Sequence, residues 1–513
     1  MPDRATSARP SQARGAPGRA LAIGALLAAA TAASPALAAP PLHVEGSRFV
    51  DPLGRTVILR GVNVAGDSKV PPFTPASDPA IFEPLQAWGM NVVRLIFTWE
   101  AYEPSPGVYD QAYLDYYAAA ARAAREHGLY VIVDFHQDAF SRFSIGGCGD
   151  GFPAWALPPD IPPATPDNGP ACSSWGIKMQ SDVDMKAAWQ AFHSDAHGAK
   201  TRYLAMVESV SAHLAGEPGV IGYDLLNEPW GDEVTEIGPL YEEAATAVRK
   251  ASPDAIVFVS PQALTSAGTQ TKLLRPSFDN LAYAPHFYDA TVVLFDSWSG
   301  VEPDAPFETM GSIAEAWNVP LFLGELGAPA PTEDGALYLD SMYAHLDARL
   351  ASGAQWVYTP GWTEERKDGW NDEDFSIVDS SGAPRENFHP RPYPAKVSGV
   401  PTHFRAPETA PDGPSIELTW EHDPTRGITE LFVPRQAFFA TDQVTVETTG
   451  EDVECAWSGS WLLCTSPDAG TRTVRITPGA PAEPPACGLT GIELLPLALF
   501  ATLRNRRKKR VGT

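Results

Sequence analysis

Two glutamates in this sequence come directly after apolar runs that have the composition of buried strands. Glu228, in the segment Asn227–Trp230, follows the run Val220–Leu226, and Glu325 follows Pro320–Gly324. A pair of carboxyls can cleave a glycosidic bond when one protonates the leaving oxygen and the other attacks carbon or activates water. Each glutamate also has a structural alternative, because Asn-Glu-Pro can simply begin a helix and a lone glutamate can lie near a helix dipole. The sequence does not give the distance between the carboxyls, which separates retaining from inverting enzymes.

Further polar side chains follow the neighbouring apolar runs. They are Asp67 and Lys69 after the first run, Arg94 within the second, His136 and Asp138 after the third, His286 and Tyr288 at the sixth, and Trp362 beyond the eighth. Taken singly, such a histidine is more often structural, and such an arginine can merely neutralise a buried acid. Because the strands of a parallel barrel end at one face, their joint occurrence predicts an active site there. The histidines lack the spacing of metal ligands, so we expect neither a metal nor another cofactor.

The apolar runs alternate with helical segments and lack alternating polarity, as expected of parallel strands buried on both faces. The runs are Val57–Val64, Val92–Thr98, Leu129–Phe135, Val220–Leu226, Ile256–Val259, Leu281–Tyr288, Pro320–Gly324 and Gln355–Pro360. Helices are predicted over Asp110–His127, Thr201–Leu214, Leu240–Ala251 and Gly335–Ser352. The fold class is therefore α/β, a (β/α)₈ TIM barrel. A doubly wound sheet is the alternative, but no glycine-rich phosphate loop follows the first strand.

The composition divides the chain into four parts. Residues 1–38 carry an arginine-rich start, an apolar stretch and a small-residue cleavage site, which predicts a signal peptide. Residues 39–400 are predicted to form a catalytic barrel, and residues 401–478 a C-terminal β-sandwich. The strands predicted in that sandwich are Ser415–Trp420, Ile428–Pro434, Gln443–Thr448, Cys455–Trp461 and Arg472–Thr477.

Residues 479–513 combine a proline-rich linker, Cys487, a short apolar stretch and a basic cluster. This tail resembles bacterial C-terminal surface-sorting segments; a disordered tail is the alternative. With the signal peptide, it predicts a secreted or cell-surface anchored protein.

Charge and cysteine content narrow the class of protein further. The 513 residues carry a formal net charge of −26, which argues against nucleic acid as a partner because phosphates would be repelled. The five cysteines suit an oxidising compartment. We predict disulfides between Cys148 and Cys172 and between Cys455 and Cys464, although four cysteines allow three pairings. Cys455 and Cys464 are nine residues apart and are predicted to lie in a hairpin.

The motifs together resemble glycoside hydrolase family 5 and, within it, the endoglycoceramidases. The matching segments are Leu59–Asn63, Asp134–Asp138, Asn227–Trp230, Trp370–Ser376 and Arg391–Pro394. The resemblance covers residues 45–480 and implies a retaining endo-β-glycosidase that hydrolyses the bond between oligosaccharide and ceramide in glycosphingolipids. It implies that Glu228 is the acid/base and Glu325 the nucleophile.

The same resemblance implies roles for the surrounding residues. Arg94 would keep Glu325 ionised, and Tyr288 would orient it. Asn227 would bind the sugar 2-hydroxyl. Lys69 and Asp138 would bind the sugar next to the lipid, with His136 and His286 also in the substrate site. Trp362 is predicted to bind substrate because of its position after the eighth run and not because of the resemblance.

Apolar loops beside the site are expected to form a groove for lipid chains, and contact with a membrane surface is expected to be possible. These loops carry Phe140, Phe143, Ile145, Phe152, Trp155 and Leu157 after the third strand, and Val292 to Phe295 with Trp298 after the sixth. The alternative is that they pack on each other.

Two functional alternatives also stay open. One is another family 5 β-glycosidase, such as an endoglucanase, galactanase or glucosylceramidase; the other is a non-catalytic glycolipid-binding protein.

Overall fold

The strands and helices are seen in a computed structural model that describes residues 42–408, 413–450 and 452–479. The strands are β1 (His43–Glu45), β2 (Arg48–Val50), β3 (Thr56–Val57), β4 (Arg60–Val64), β5 (Val92–Thr98), β6 (Tyr130–His136), β7 (Val220–Asp224), β8 (Ile256–Val259), β9 (Leu281–Tyr283), β10 (His286–Phe287), β11 (Phe322–Leu326), β12 (Ser352–Tyr358), β13 (Tyr393–Val397), β14 (Gly399–Arg405), β15 (Ile416–His422), β16 (Thr429–Phe432), β17 (Val444–Thr449), β18 (Glu454–Ser458), β19 (Trp461–Thr465) and β20 (Gly470–Pro478). The predicted signal peptide and the tail with Cys487 lie outside the described residues.

The α-helices lie mainly between the barrel strands. They are Glu83–Ala87, Trp99–Tyr102, Gln111–Glu126, Trp175–Ser181, Val183–His193, Ala199–Leu214, Gly238–Arg249, Ala290–Phe295, Asp304–Trp317, Gly335–Ala348 and Arg435–Phe439. Short 3₁₀ turns occupy Gly66–Ser68, Pro79–Phe82, Ala154–Ala156, Pro170–Cys172, Ala263–Ala267 and Pro424–Arg426, and a π-helical turn occupies Glu233–Ile237.

A ring of parallel strands forms the barrel. The strands pair in the order β10-β11-β12-β4-β5-β6-β7-β8-β9. Only two residues separate β9 from β10, so these strands share the sixth barrel position. A parallel bridge between Tyr283 in β9 and Leu321, the residue before β11, closes the ring. The predicted (β/α)₈ barrel is confirmed, and with it the rule that its site lies at the carboxyl ends of the strands.

The predicted barrel helices are confirmed, with differences at their ends. Asp110 caps the helix Gln111–Glu126 by accepting a hydrogen bond from the Tyr113 amide. The helix predicted to reach Ser352 stops at Ala348. Leu350 adopts a positive φ of 51°, which ends the helix, and Ser352 already belongs to β12.

Two antiparallel sheets form the C-terminal β-domain, in the orders β14-β15-β20-β17 and β1-β2-β3-β13-β16-β19-β18. The second of these sheets therefore contains β1, β2 and β3, which precede the barrel in the chain. It also contains β13, which lies before residue 401, the predicted start of the C-terminal β-domain. The hairpin predicted around Cys455 and Cys464 is confirmed as β18–β19. The strand predicted over Cys455–Trp461 is too long, because it ends at Ser458 and the chain turns at Gly459 with a φ of 60°. Both predicted disulfides are confirmed.

The loop after β6 does not form the predicted lipid groove. Phe140, Ile145, Phe152 and Leu157 are buried in the core. Phe152 packs with its ring centroid 5.6 Å from that of Trp189, so the loop packs on its neighbours, as the alternative proposed. The loop after β10 differs, because Leu294 and Phe295 are 54% and 72% exposed. Among the described helices, none is both long and apolar enough to cross a membrane.

Candidate active site

Glu228 and Glu325 meet at the mouth of the barrel, although 97 positions separate them in the chain. Glu228 follows β7, and Glu325 lies in β11 opposite His286 in the strand register. His286 Nδ1 is 2.9 Å from Glu228 Oε1 and 3.5 Å from Glu325 Oε2. A carboxylate oxygen of one glutamate lies within 4.8 Å of one of the other. This separation is near the roughly 5–5.5 Å of retaining glycosidases and below the roughly 6.5–9.5 Å of inverting ones.

Arg94 lies fully buried beneath the two glutamates and donates five hydrogen bonds. Its acceptors are Asp224 Oδ2 at 3.0 Å, Asn63 Oδ1 at 2.9 Å, Glu325 Oε1 at 2.8 Å, Asp134 Oδ1 at 2.9 Å and Asn227 Oδ1 at 2.8 Å. Burial by itself lowers the pKa of Arg94, but the three carboxylates outweigh it and raise that pKa. The guanidinium therefore stays charged and places a positive charge against Glu325 Oε1.

The second carboxylate oxygen of Glu325 accepts a hydrogen bond from Tyr288. The hydroxyl of Tyr288 is 2.9 Å from Glu325 Oε2. Burial, followed by the charge of Glu325, raises the pKa of Tyr288 well above its usual value, so the phenol remains a donor. With Arg94 on one oxygen and Tyr288 on the other, the carboxylate is held in one orientation.

Glu228 has the opposite electrostatic environment, because no arginine or lysine contacts its carboxyl in the described structure. Burial is the largest cause that raises its pKa, and the charges of Glu325 and Asp138 add to the effect. The hydrogen bond to His286 opposes the rise. For His286 itself, burial lowers the pKa, but Glu325 and Glu228 outweigh it and raise the pKa. A carboxyl with a raised pKa beside a second carboxyl that is paired with an arginine suits a general acid and a nucleophile.

Lys69, His136 and Asp138 form a second buried group beside the glutamates. His136 lies 2.7 Å from Asp134 Oδ2 through Nδ1 and 3.2 Å from Asp138 Oδ2 through Nε2. Lys69 donates to Asp138, and its Nζ is 3.5 Å from Asp150. Burial lowers the pKa of His136, but Asp134 and then Asp138 reverse this and raise it to about 10. These fixed donors and acceptors suit the hydroxyl groups of a sugar.

Asn227 links this group to the glutamates. Its Oδ1 accepts from Arg94, and its Nδ2 lies 3.1 Å from the carbonyl oxygen of Gln137 and 3.5 Å from Asp138 Oδ1. The structure thus brings together nine of the ten predicted site residues.

Trp362 has different contacts from the other predicted residues. Its indole Nε1 donates to Asp374 at 3.0 Å, and Arg385 lies 4.3 Å from the ring centroid. The aromatic ring that the eighth strand places at the site is Trp356, which stacks on His136 with centroids 5.7 Å apart. Trp356 lies inside the eighth apolar run, where sequence alone cannot distinguish a site aromatic from a core residue. A role for Trp362 in substrate binding stays a prediction.

Three further residues around Lys69 were not singled out from the sequence. Lys69 Nζ lies 3.7 Å above the ring of Trp370. Burial raises the pKa of Asp150 to about 8 and that of Glu373 to about 7, with Lys69 opposing both. Trp370 and Glu373 lie in the motif Trp370–Ser376, which gave the resemblance but no individual roles.

Among the described residues, three clusters of histidine and carboxylate side chains could hold a metal ion, but in each a basic side chain of the protein already forms an ion pair with a carboxylate. They are Glu228–His286–Glu325, His136–Asp138–Asp150 and Asp340–His389–Glu408. Each has a carboxylate paired with a basic side chain, from Arg94, Lys69 and Arg391 respectively.

Comparison with known proteins agrees with this geometry. Residues 50–363 match the family described as Cellulase (glycosyl hydrolase family 5), and residues 391–477 match the Glycoside hydrolase family 5 C-terminal domain. The first match covers more than half of the chain. The chain belongs to glycoside hydrolase family 5. It is an O-glycosyl hydrolase.

Individual relatives match different shares of this chain. Endoglycoceramidase I of Rhodococcus hoagii is 28% identical over 358 residues, 64% of this chain and 70% of that protein. Glucosylceramidase of Aspergillus fumigatus is 37% identical over 141 residues, 23% of this chain and 18% of that protein. Endo-glycoceramidase II from Rhodococcus sp. in its ganglioside GM3 complex is 26% identical, with a TM-score of 0.69, over 85% of this chain and 100% of that one. The same protein, solved as a lactosyl-enzyme intermediate, gives a TM-score of 0.68 at 26% identity over 84% and 99%.

Replacing Arg94 by lysine tests whether this family 5 site depends on the guanidinium. Lysine has one charged nitrogen and cannot reach five acceptors, so Arg94→Lys leaves buried carboxylates unpaired. We expect the free energy of unfolding to fall by about 3–5 kcal/mol in chemical denaturation. The matched control is Arg122→Lys, at an arginine whose side chain is 53% exposed, which we expect to change it by less than about 0.5 kcal/mol. Equal effects of the two changes would contradict the structural role of Arg94.

Proposed function

We propose that this protein is a retaining endo-β-glycosidase that hydrolyses the bond between oligosaccharide and ceramide in glycosphingolipids. The observation that carries the proposal is the approach of the carboxylates of Glu228 and Glu325 to within 4.8 Å. The endoglycoceramidase relatives support the lipid-linked substrate, and the lactosyl-enzyme intermediate of one relative supports a covalent mechanism.

The first step forms a bond between Glu325 and the sugar. Ionised Glu325, fixed by Arg94 and Tyr288, attacks the anomeric carbon, and the bond from that carbon to the ceramide oxygen breaks. Glu228 transfers its proton to that oxygen, so ceramide leaves as a neutral alcohol. Glu325 is then esterified and uncharged, which removes one of the charges that raise the pKa of Glu228.

The second step returns both glutamates to their starting states. Ionised Glu228 takes a proton from water as the water oxygen attacks the anomeric carbon. The ester bond breaks, Glu325 leaves as carboxylate, and two inversions give net retention. Through both steps Asn227, His136, Lys69 and Asp138 hold the sugar hydroxyls.

Exposed apolar side chains on the mouth loops fit the lipid part of the substrate. Val293, Leu294 and Phe295 follow β10, and Leu264 follows β8; each is at least 41% exposed. Because both loops follow barrel strands, they flank the glutamates. We propose that this apolar rim, the four residues just named, contacts the surface of a bilayer or micelle that holds the glycolipid. The net charge of −26 favours a zwitterionic over an anionic surface.

Export of the protein is a further proposal. The arginine-rich start, the apolar stretch and the small-residue site within residues 1–38 support it. The two disulfides are also typical of proteins in an oxidising compartment. Secretion or surface anchoring would bring the enzyme to glycolipids outside the cell.

A glucosylceramidase is the second candidate, because the relative with that name shares 37% identity over 141 residues. The two activities differ in their products. Incubation with a ganglioside should release an intact oligosaccharide and ceramide if the first proposal is right. Activity on glucosylceramide but none on the ganglioside would favour the second candidate, and turnover of neither would favour a binding protein.

The roles of the two glutamates predict different sensitivities to the leaving group. Glu325→Gln should abolish turnover of every substrate. Glu228→Ala should lower kcat/KM for the glycolipid by at least about a hundredfold but spare an aryl glycoside whose leaving group needs no proton. Steady-state kinetics on both substrates measure the difference, and equal losses for Glu228→Ala would refute its role as acid.

Replacing His286 by glutamine should move the alkaline limb of the pH profile of kcat/KM. His286 stabilises the charged form of Glu228 and so lowers its pKa. Without the charge of His286 the pKa of Glu228 rises, so Glu228 keeps its proton up to a higher pH. The alkaline limb therefore moves to higher pH. His403→Gln, at a histidine whose side chain is 49% exposed, is the control and should leave the limb in place. A shift to lower pH would contradict the assignment.

Removing apolar side chains from the rim should weaken contact with lipid surfaces only. The double change Leu294→Ser and Phe295→Ser should reduce binding to phosphatidylcholine vesicles at least about tenfold, because each side chain contributes about 1.5–3 kcal/mol when buried. Turnover of a soluble aryl glycoside should stay unchanged. Leu53→Ser, at a leucine 59% exposed on the β2–β3 turn, is the control. Unaltered vesicle binding by the double variant would contradict the rim proposal.

A further inference from the structure

The backbone at Glu228 adopts an unusual conformation. Its φ is 37°, in the left-handed region that residues with a side chain rarely adopt. Such conformations cost about 1–3 kcal/mol and persist only where the surrounding structure enforces them. The position of the Glu228 carboxyl therefore depends on whatever holds this turn.

The side chain of Gln137 provides that restraint. Its Nε2 donates to two successive carbonyl oxygens, that of Asn227 at 2.7 Å and that of Glu228 at 2.9 Å. Successive carbonyls of an extended strand point to opposite sides, so one amide can bind both only because the chain turns at Glu228. A single side chain thus fixes the peptide groups on both sides of the Glu228 Cα atom.

The orientation of the Gln137 amide is itself determined. Its Oε1 accepts a hydrogen bond from the Phe140 amide at 2.7 Å, so the nitrogen must face the two carbonyls. Gln137 is 1% exposed. At Gly151 an added Cβ would lie 2.5 Å from the Cα and Cβ of Gln137, so the backbone there packs directly on this residue. The donor is therefore buried, satisfied at both ends and unable to reorient.

Gln137 also connects the turn to strand β6. Its backbone carbonyl accepts a hydrogen bond from the side-chain Nδ2 of Asn227 at 3.1 Å. The backbone N–H of Asn227 donates to the carbonyl oxygen of Phe135 at 3.0 Å. The end of β6 and the turn after β7 are thus joined by four hydrogen bonds, two of them from Gln137 Nε2. Gln137 lies between His136 and Asp138 in the chain, so the same segment positions both sugar-binding side chains and the acid.

We propose that Gln137 is a positioning residue that acts through Glu228: its amide holds the left-handed turn, and with it the proton of Glu228 in line with the departing oxygen. The inference rests on the proposed function, in which Glu228 is the general acid. It goes beyond that function by naming the group that fixes the geometry of proton transfer. Gln137 makes none of its described hydrogen bonds to the Glu228 carboxyl itself.

The test is the leaving-group dependence of Gln137→Glu. This change keeps the side-chain size and the acceptor for Phe140 but places an oxygen opposite two carbonyl oxygens, so the turn is no longer held. We expect kcat/KM to fall at least about thirtyfold for an alkyl or lipid glycoside and less than about threefold for an aryl glycoside that leaves without a proton. A purely structural role would lower both rates equally, and that result would overturn the proposal, as would unchanged rates on both substrates.

Two further variants separate the possible outcomes. Gln355→Glu is the matched control, since Gln355 is also buried, donates to Asn387 at 2.8 Å and accepts from Tyr343 at 3.2 Å, but does not contact the turn. It should lower stability without altering the ratio of the two rates. If Gln137→Glu does not fold, Gln137→Met removes the donor without adding charge and should give the same split in rates.

Glu228→Ala in the same assay distinguishes failure of this inference from failure of the proposed function. If Glu228→Ala shows the leaving-group split and the Gln137 variants do not, Gln137 has no positioning role and Glu228 remains the acid. If Glu228→Ala shows no split, the acid has been wrongly assigned and both proposals fail.

Discussion

The buried guanidinium of Arg94 is the interaction on which the site depends. Three carboxylates come within 3.0 Å of it at the carboxyl ends of separate strands, where their mutual repulsion would otherwise oppose closure of the barrel. Arginine suits this position because its planar fork offers five donors in fixed directions, which a lysine does not. One cation therefore links side chains from separate barrel strands, Glu325 among them.

The two glutamates lie in different electrostatic surroundings. Glu325 receives hydrogen-bond donors on both oxygens, from Arg94 and Tyr288. Glu228 is buried with His286 as its partner, and burial favours the neutral form. The charge of Glu325 raises the pKa of Glu228 further but is not the main cause of the rise. Burial of Glu228 therefore raises its pKa even without the contribution of Glu325.

The core of the barrel was predictable because its signal is local. Each parallel strand is buried on both faces, so a continuous apolar run marks it, and the polar residue at its end marks the mouth. The loop after β6 and the strand over Cys455–Trp461 were predicted wrongly, because their structure depends on contacts with residues outside the segment from which each was predicted. Phe140 and Phe152 are apolar aromatics of the kind that a lipid groove needs, but Trp189 and Phe192, on a helix that follows in the chain, pack against them. The strand predicted over Cys455–Trp461 ends at Ser458, because the chain turns at Gly459 and Trp461–Thr465 pairs back on it.

The sequence by itself determined the fold class, the two glutamates and most of the polar residues beside them, because strand ends in a barrel are recognisable from residue type and order. Only the tertiary structure placed Trp356 beside the site, since its position inside an apolar run is compatible with a core residue until β12 is placed against His136. The tertiary structure alone also gave the distance between the carboxyls of Glu228 and Glu325, and the hydrogen bonds of Gln137 to the turn at Glu228. Distances between residues far apart in the chain follow from how the strands close into a ring, and no local pattern of residues encodes that closure.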